Sequence, residues 1–279
     1  MVVKGKEVRD NIRSKIREKS DKENYSLHML RVGENPSDIS YERGIIGACK
    51  DTGIDYKTHV FNIDVTEDIL LDKIEELNNN PNVDGIIIFR PLISHLNEYK
   101  IINAIDPNKD VDGSTDVNLS KIFQFKESIE PATARACIEF LKYNKIEIEG
   151  KNILIINRSM VLGRPLAMML LKLNATVTIA HSKTVDLDSL IKSSDIIISA
   201  TGKAKLHNRD IFNENQILID VGMSEDEDGN LVGDFDIELL KDKVKIITPV
   251  LGGIGSITSS VILLNTILAK EMKGDKNGR

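Results

Sequence analysis

Apolar and polar positions along the first half of the chain predict helices that alternate with strands. Residues 66–80 carry leucine and isoleucine at helical spacing, which predicts an amphipathic helix. Residues 83–89 contain a continuous isoleucine run, which is typical of a parallel strand covered on both faces. This alternation predicts an α/β layer. The predicted elements are helices at 6–20, 39–52, 66–80 and 95–105 and strands at 25–32, 55–63 and 83–89.

The second half shows the same alternation and predicts a Rossmann-type, doubly wound parallel sheet. We therefore predict two α/β domains that flank a cleft, the first at residues 1–130 and the second at residues 131–255. The C-terminal helix, residues 256–279, is apolar enough to pack back on the first domain. The other predicted elements are strands at 151–157, 175–180, 195–202, 216–222 and 244–250 and helices at 132–144, 163–174 and 186–194.

Composition and charge argue against several classes of function. Of the 279 residues, 41% are hydrophobic and 29% are charged, which is ordinary for a globular protein. A net charge of −6 argues against a nucleic-acid partner, because phosphate backbones attract a basic surface. The chain starts without an apolar signal segment, and its apolar runs are too short to span a membrane. These features predict a cytoplasmic protein without a membrane partner.

Cysteine and histidine spacing predicts no metal site. Cys49 and Cys137 are the only two cysteines, and the five histidines are scattered along the chain. Neither set has the spacing of a metal or redox motif.

The first strand-to-helix turn of the second half, residues 155–165, takes the place of the glycine-rich dinucleotide fingerprint. Asn157 and Ser159 stand at the first two glycine positions, and only Gly163 is kept. The turn opens a predicted helix, whose N-terminus can hold a pyrophosphate. The alternative interpretation is a plain strand-to-helix turn.

The end of the next strand favours NADP over NAD. NAD-specific folds usually place an acidic residue there to bind the ribose hydroxyls, whereas residues 178–184 read T-I-A-H-S-K-T. Ser182 can donate to a phosphate, and Arg158 can pair with it through two N–H groups. Alternatively, Arg158 and Lys183 are solvated surface cations.

Two loops offer groups for a flat ligand. Residues 248–258 contain three glycines, which let backbone approach a ligand closely, although a tight turn with helix packing would also use them. Asp112, in the D-V-D-G loop, can accept two N–H bonds from an aminopyrimidine or pterin edge. Its alternative interpretation is a turn aspartate.

An ordered set of motifs covers nearly the whole chain, and it comprises VGENPSD…SYERG, VDGIIIFRPL, DPNKDVDG, NRSMVLGRP, HSKT, IDVGM, LVGD and TPVLGGIGSIT. This set resembles the methylenetetrahydrofolate dehydrogenase/cyclohydrolase family. The resemblance implies folate in the cleft, NADP on the Rossmann side, a homodimer, a cytosolic location and a place in one-carbon metabolism.

The resemblance also implies roles for single residues. Tyr41 would line the folate site, Asp112 would hold the pterin, and Arg158 and Ser182 would contact the NADP 2′-phosphate. The remaining implied contacts are Leu251, Gly252 and Gly253 beside the substrate, and Asn157, Ser159, Gly163, Thr201, Gly202 and Met223 around the cofactor. Leu251 stands where the family has a proline.

Two departures change the expected chemistry. The family pattern Y-x-x-x-K ends here in Ile45, one helical turn from Tyr41, and the family's Q-L-P reads F-R-P, so Phe89 replaces the glutamine. Hydride transfer needs mainly alignment, whereas hydrolysis of the methenyl product needs a proton carrier, typically worth about 10²–10⁴ in rate. Neither Ile45 nor Phe89 can carry a proton. The candidate catalytic positions are Tyr41, Asp112, Ile45 and Phe89.

No other residue is expected to replace the lost lysine. Lys50 and Arg43 lie off the helix face of Tyr41, and strand alternation predicts that Arg90 points away from Phe89. The sequence therefore predicts an NADP-dependent methylenetetrahydrofolate dehydrogenase with weak or absent cyclohydrolase activity. The alternatives are a bifunctional enzyme and a non-catalytic NADP- or folate-binding module. A shikimate-type dehydrogenase fits the D-V-D-G and G-G-I-G contexts poorly.

Overall fold

The computed structural model describes residues 1–277, with side chains described through residue 273. The chain divides into two compact units. The N-terminal unit contains Asp10–Ala132 and the chain from Ser259 onward, and the Rossmann unit contains Met1–Arg9 and Thr133–Thr258. Both units hold parallel sheets with helices, and the second has Rossmann-type topology, so the predicted α/β class is confirmed.

The N-terminal unit is built on a three-stranded parallel sheet in the order β2-β1-β3. The central strand β1 pairs with both neighbours, and every residue of β3 is buried, as its isoleucine run predicts. The elements of this part of the chain are α1 (Lys6–Ser20), β1 (Ser26–Val32), α2 (Pro36–Thr52), β2 (Asp55–Phe61), α3 (Glu67–Asn79), β3 (Gly85–Ile88), α4 (Glu98–Asn103) and α5 (Asp116–Phe123).

Local sequence sets both ends of α2, the helix that carries Tyr41. The side chain of Asn35 accepts a hydrogen bond from the backbone N–H of Ser37 (2.9 Å), and Pro36 occupies the first turn, where no N–H is needed. The helix stops at Gly53, whose φ of 73° is a left-handed conformation that glycine adopts without a steric penalty.

The loop between α4 and α5, residues 106–115, is held to other elements by two buried side chains, one of its own and one from the last helix. The ammonium of Lys109 donates to the carbonyls of Leu77 and Asn78 at the end of α3 (2.8 and 2.7 Å). The amide of Asn265 donates to the carbonyls of Val111 (2.8 Å) and Glu130 (3.0 Å). Asn265 belongs to the last helix of the chain, so that helix supports the loop from the opposite end of the sequence.

The Rossmann unit holds a five-stranded parallel sheet in the order β10-β7-β6-β4-β5. The chain reverses its direction of strand addition between β4 and β6, and ligands of open α/β sheets bind at the carboxyl ends of such a pair. The elements of the second half of the chain are α6 (Ala132–Tyr143), β4 (Asn152–Ile156), α7 (Gly163–Lys172), β5 (Thr176–Ala180), α8 (Leu187–Lys192), β6 (Ile196–Ser199), β7 (Ile217–Asp220), β8 (Ser224–Glu225), β9 (Leu231–Val232), α9 (Ile237–Leu240), β10 (Ile246–Ile247) and α10 (Gly255–Asn277). From Ser259 onward, α10 belongs to the N-terminal unit.

Some elements differ from the sequence-based expectations. The predicted helix at 256–279 is observed as α10, and positions 278 and 279 lie outside the described residues. The helices α5 and α9 and the antiparallel pair β8–β9 were not predicted. All three are short, with 8 residues in α5, 4 in α9 and 2 in each strand, so hydrophobic periodicity gives little signal for them. Within residues 1–277, no helix is both long and apolar enough to cross a bilayer.

Candidate active site

Tyr41 and Phe89 meet in the N-terminal unit. Tyr41 lies on α2 and Phe89 directly follows β3, and their rings pack edge to face with centroids 5.8 Å apart. Ile45, one turn after Tyr41, has no solvent-exposed surface. The positions where the family pattern has lysine and glutamine are thus filled by two buried apolar side chains.

Arg90 and Asp112 form an ion pair in the same unit, between the Nη2 and Oδ2 atoms. The side chains of Arg90 and Asp112 are 18% and 22% exposed, respectively. This contact corrects the expectation that Arg90 points away from the site. The strand β3 ends at Ile88, so the alternation of side chains along a strand does not extend to residue 90.

The electrostatic environment of Asp112 is unusual for an aspartate. Burial raises the pKa of Asp112 to about 6, with a further rise from the nearby Asp110 carboxylate and an opposing effect of Arg90. Burial also raises the pKa of Tyr41 well above its ordinary range, and Asp112 adds to that rise while Arg90 opposes it. Arg90 thus acts on the pKa of both Asp112 and Tyr41, and Tyr41 is a neutral phenol at physiological pH.

Two other cationic residues of α2 lie off the helix face that carries Tyr41. Arg43 and Lys50 are exposed, as expected for residues off the face that carries Tyr41 and Ile45. The lost lysine has no replacement from its own helix.

In the Rossmann unit, Asn157 organises the turn between β4 and α7. Its Oδ1 atom accepts hydrogen bonds from the backbone N–H groups of Ser159 (2.8 Å) and Gly163 (3.1 Å). Its Nδ2 atom donates to the carbonyl of Ala200 (2.6 Å), which follows β6. A side chain on Gly163 would collide with the backbone of Asn157. The side chain of Asn157 thus holds together a turn that lacks the first two glycines of the fingerprint.

The predicted 2′-phosphate residues lie at the carboxyl ends of β4 and β5. Arg158, Ser182 and Lys183 are all exposed. Among residues 1–273, whose side chains the structure describes, no ion pair of Arg158 with an acidic side chain is found. The backbone N–H of Lys183 donates to Nδ1 of His181 (3.1 Å), which shapes the loop after β5.

Asp234, which the sequence analysis did not select, holds the loop after β6. Its Oδ2 atom accepts from the hydroxyl of Ser199 (2.6 Å) and from the N–H of Thr201 (2.5 Å), and Oδ1 accepts from the N–H of Lys203 (3.3 Å). The Ser199 hydroxyl also contacts Nε2 of His207 at 3.1 Å. The cofactor candidates Thr201 and Gly202 lie in this loop.

Asp220, at the end of β7, holds the neighbouring segments in the same way. Its carboxylate accepts from the N–H groups of Gly222 (3.1 Å), Asp234 (3.2 Å) and Phe235 (3.0 Å). Burial raises the pKa of Asp220 to about 7, while these hydrogen bonds oppose the rise. The predicted cofactor residue Met223 is exposed directly after this segment. The sequence signal for both aspartates was their place in the motifs IDVGM and LVGD.

The glycine turn before α10 also belongs to the Rossmann unit. Gly252 has φ of 78°, and its carbonyl accepts a hydrogen bond from the N–H of Gly5 (2.7 Å). A side chain on Gly253 would collide with the carbonyl of Pro249. Leu251, in the place of the family's proline, is 65% exposed. The turn therefore presents Leu251 and Gly252 at the surface of its unit.

This fold and these residues define an α/β protein that binds a nicotinamide dinucleotide. Residues 3–112 match the model described as "Tetrahydrofolate dehydrogenase/cyclohydrolase, catalytic domain", and residues 131–274 match "Tetrahydrofolate dehydrogenase/cyclohydrolase, NAD(P)-binding domain". The chain therefore belongs to the tetrahydrofolate dehydrogenase/cyclohydrolase family, and the predicted family is confirmed.

Individual relatives agree with this assignment. Bifunctional protein FolD of Clostridium botulinum (strain Okra / Type B1) is 49% identical over 246 residues, covering 88% of this chain and 87% of that protein. The crystal structure of the bifunctional enzyme FolD from Campylobacter jejuni has a TM-score of 0.94 at 34% identity, covering 98% of this chain and 99% of that one. The FolD structure of Trypanosoma brucei, complexed with NADP cofactor and inhibitor, has a TM-score of 0.92 at 28% identity and covers 98% of both chains.

Proposed function

We propose that this protein oxidises 5,10-methylenetetrahydrofolate to 5,10-methenyltetrahydrofolate with NADP, and that it hydrolyses the methenyl product weakly or not at all. The observation that carries the second part is the apolar character of the site beside Tyr41. Ile45 has no exposed surface, and Phe89 packs on the Tyr41 ring. Neither side chain can accept a proton or hold a water molecule.

The two reactions place different demands on these residues. In the oxidation, a hydride leaves the methylene bridge for the nicotinamide, and the two adjacent nitrogens share the positive charge that remains. This step moves no proton, so the protein has to supply alignment. In the hydrolysis, water attacks the methenyl carbon and loses a proton, which requires a positioned acid or base. We infer that Asp112 binds the pterin edge and that Tyr41 lines the pocket.

NADP is the proposed cofactor for three reasons. The Asn157 turn has the strand-to-helix context of a pyrophosphate site. The strand β5 ends at Ala180 without an acidic residue that would bind ribose hydroxyls. Arg158 and Ser182 are exposed after the ends of β4 and β5, and the family resemblance assigns both to the 2′-phosphate. When bound, NADP supplies the hydride acceptor. A homodimeric state and a cytosolic location, as the family resemblance implies, complete this proposal, and light scattering on the purified protein would test the first.

A bifunctional dehydrogenase/cyclohydrolase is the second candidate, and one observation favours it. The pKa of Asp112 is raised to about 6 by burial. A carboxyl group with such a pKa can exchange a proton near neutral pH. Against this role, Asp112 would already be committed to the pterin edge.

One pair of assays tests these alternatives. NADP reduction on addition of methylenetetrahydrofolate separates an enzyme from a non-catalytic binding module. Loss of methenyltetrahydrofolate absorbance, measured against the uncatalysed rate, then reports hydrolysis. We expect robust NADP reduction and hydrolysis close to background. Enzyme-dependent hydrolysis at a rate comparable to the oxidation would refute the single-activity proposal.

A further inference from the structure

Arg90 supplies a positive charge to a pocket that has lost its expected lysine. Its guanidinium contacts the Asp112 carboxylate, and both side chains are largely withdrawn from solvent. The contact is possible because β3 ends at Ile88 and the chain then bends, which lets the side chains of two successive residues, Phe89 and Arg90, serve the same pocket.

The Asp112 carboxylate needs a nearby positive charge to stay ionised. A carboxylate that is withdrawn from water pays a large desolvation cost unless a cation or several donors compensate it. The charged and titratable groups that act on Asp112 within the described structure are Arg90, Asp110 and the Tyr41 phenol. Asp110 is an acid and Tyr41 stays neutral, while Ile45 carries no charge. Arg90 is therefore the cation that balances Asp112.

We propose that Arg90 is a positioning residue that keeps Asp112 ionised and oriented for the N–H edge of the pterin substrate. This inference rests on the proposed function, because it assigns Asp112 to that edge. Arg90 supplies a positive charge, as the missing lysine would. It cannot transfer a proton, because a guanidinium keeps its proton at any physiological pH.

The Asp112 carboxylate keeps acceptor positions for the substrate. A carboxylate offers about four lone-pair positions on its two oxygens. In the described structure Arg90 occupies a position on Oδ2 through Nη2, and acceptor positions on both oxygens remain for the amino group and ring N–H of a pterin. The guanidinium thus fixes the carboxylate without excluding the ligand.

The test measures the binding of tetrahydrofolate itself by calorimetry, from pH 5 to pH 8.5, and does not depend on turnover. Wild type is compared with Arg90→Leu, which removes the charge, and with Arg90→Lys, which keeps it. Arg90→Gln, neutral but polar, is used in case the leucine variant fails to fold. Arg17→Leu is the matched control, because it removes an arginine from another arginine–aspartate pair of the same unit, with Asp51 (2.7 Å).

We expect wild-type affinity to fall on the acid side with a midpoint near pH 6, the value to which burial raises the pKa of Asp112. In Arg90→Leu or Arg90→Gln the midpoint moves up by about 1–3 pH units, the usual influence of one close opposite charge. Arg90→Lys moves it less, Arg17→Leu does not move it, and NADP affinity is unchanged in all variants.

Two results would overturn the role of Arg90. One is an unmoved midpoint in the neutral variants, with folate affinity equal to or tighter than that of wild type. The other is an equal loss of NADP and folate affinity, which would indicate general structural damage. Failure of the proposed function gives a different result: wild-type protein that binds no tetrahydrofolate, or binds it and does not reduce NADP with the methylene substrate.

Discussion

The ring of Phe89 packs edge-on against the ring of Tyr41, with an angle of 79° between their planes. Edge-to-face aromatic pairs contribute about 0.5–1.5 kcal/mol beyond the area that they bury. Phe89 is therefore bound to Tyr41 by a favourable contact and keeps the place of the family's glutamine occupied. The apolar character of this site is built into the packing of the unit.

Restoring a lysine alone is expected to restore little hydrolysis. In Ile45→Lys the ammonium enters a position with no exposed surface, where burial disfavours its charged form, and Phe89 offers it no hydrogen bond. The double variant Ile45→Lys with Phe89→Gln should gain hydrolysis toward the factor of about 10²–10⁴ expected of a positioned acid or base. Methenyltetrahydrofolate absorbance reports the rate, and Ile45→Met is the uncharged control. A single variant as fast as the double one would contradict this account.

Loss of Arg158 is expected to reduce the preference for NADP over NAD. A hydrogen bond to a charged group is worth about 1.5–3 kcal/mol, so Arg158→Ala should raise the KM for NADP by about ten- to a hundredfold. The KM for NAD should change little, because NAD lacks the 2′-phosphate. Lys172→Ala, which removes another exposed cation from the end of α7, serves as the control. If the KM values for NADP and NAD rose by the same factor, Arg158 would not be a ligand of the 2′-phosphate.

The variant Asp234→Asn should weaken both the Rossmann unit and its affinity for NADP. The amide keeps one acceptor oxygen, while the carboxylate now accepts from Ser199, Thr201 and Lys203. An unpaired buried donor costs about 1–3 kcal/mol, which urea unfolding would measure. NADP calorimetry would report the displaced Thr201 loop. The exposed turn residue Asp228, changed to asparagine, should alter neither quantity. If Asp234→Asn changed neither the free energy of unfolding nor the NADP affinity, Asp234 would not hold the Thr201 loop.

The histidine pair of β1 and β2 should make the stability of the N-terminal unit depend on pH. Nδ1 of His28 lies 3.0 Å from Nε2 of His59, and burial lowers the pKa of His28 to about 4 and also lowers the pKa of His59. Between about pH 6.5, where an unfolded histidine titrates, and pH 4, the unfolded chain binds more protons than the folded one. The free energy of unfolding should therefore fall as pH falls through this window.

Urea unfolding at pH 7 and pH 5 would measure this histidine effect. The variant His28→Phe should show a smaller fall between the two pH values than wild type. Thr52→Val is the control: it removes a hydrogen bond to the carbonyl of Ala48 (2.8 Å) and no titratable group, so it should lower stability equally at both pH values. An unchanged pH slope in His28→Phe would contradict the assignment.

Much of the fold could be predicted because several strands, β3, β6 and β7 among them, are buried along their whole length. The isoleucine runs of β3 and β6 gave their strands directly, and the observed elements Gly85–Ile88 and Ile196–Ser199 lie inside the predicted ranges. The short helix α5 was missed, although Thr115 caps it by accepting from the N–H of Asn118 (3.4 Å). One capping residue next to polar positions is a weak signal against a background of polar loops.

Residues of the candidate site could be predicted from the sequence only where a recognisable motif contains them. Asp112 and Tyr41 were selected from motifs, and their contact partners are now known. Arg90 was excluded because strand alternation was applied two residues beyond the end of β3. Asp220 and Asp234 act through backbone N–H groups that the sheet brings to them from distant parts of the sequence, and no local pattern records such partners.

The hydrogen bonds from Asn265 to Val111 and Glu130 also bear on the order in which the protein is made. A ribosome delivers Asp112 long before Asn265, whose amide holds the loop of Asp112. A nascent chain that stops short of that amide would carry every residue proposed to recognise folate and still lack the support that holds their backbone in place. The loop that carries Asp112 can thus be fully supported only after residue 265 has been made, and a product truncated before that residue should bind folate poorly even if its sheet has formed.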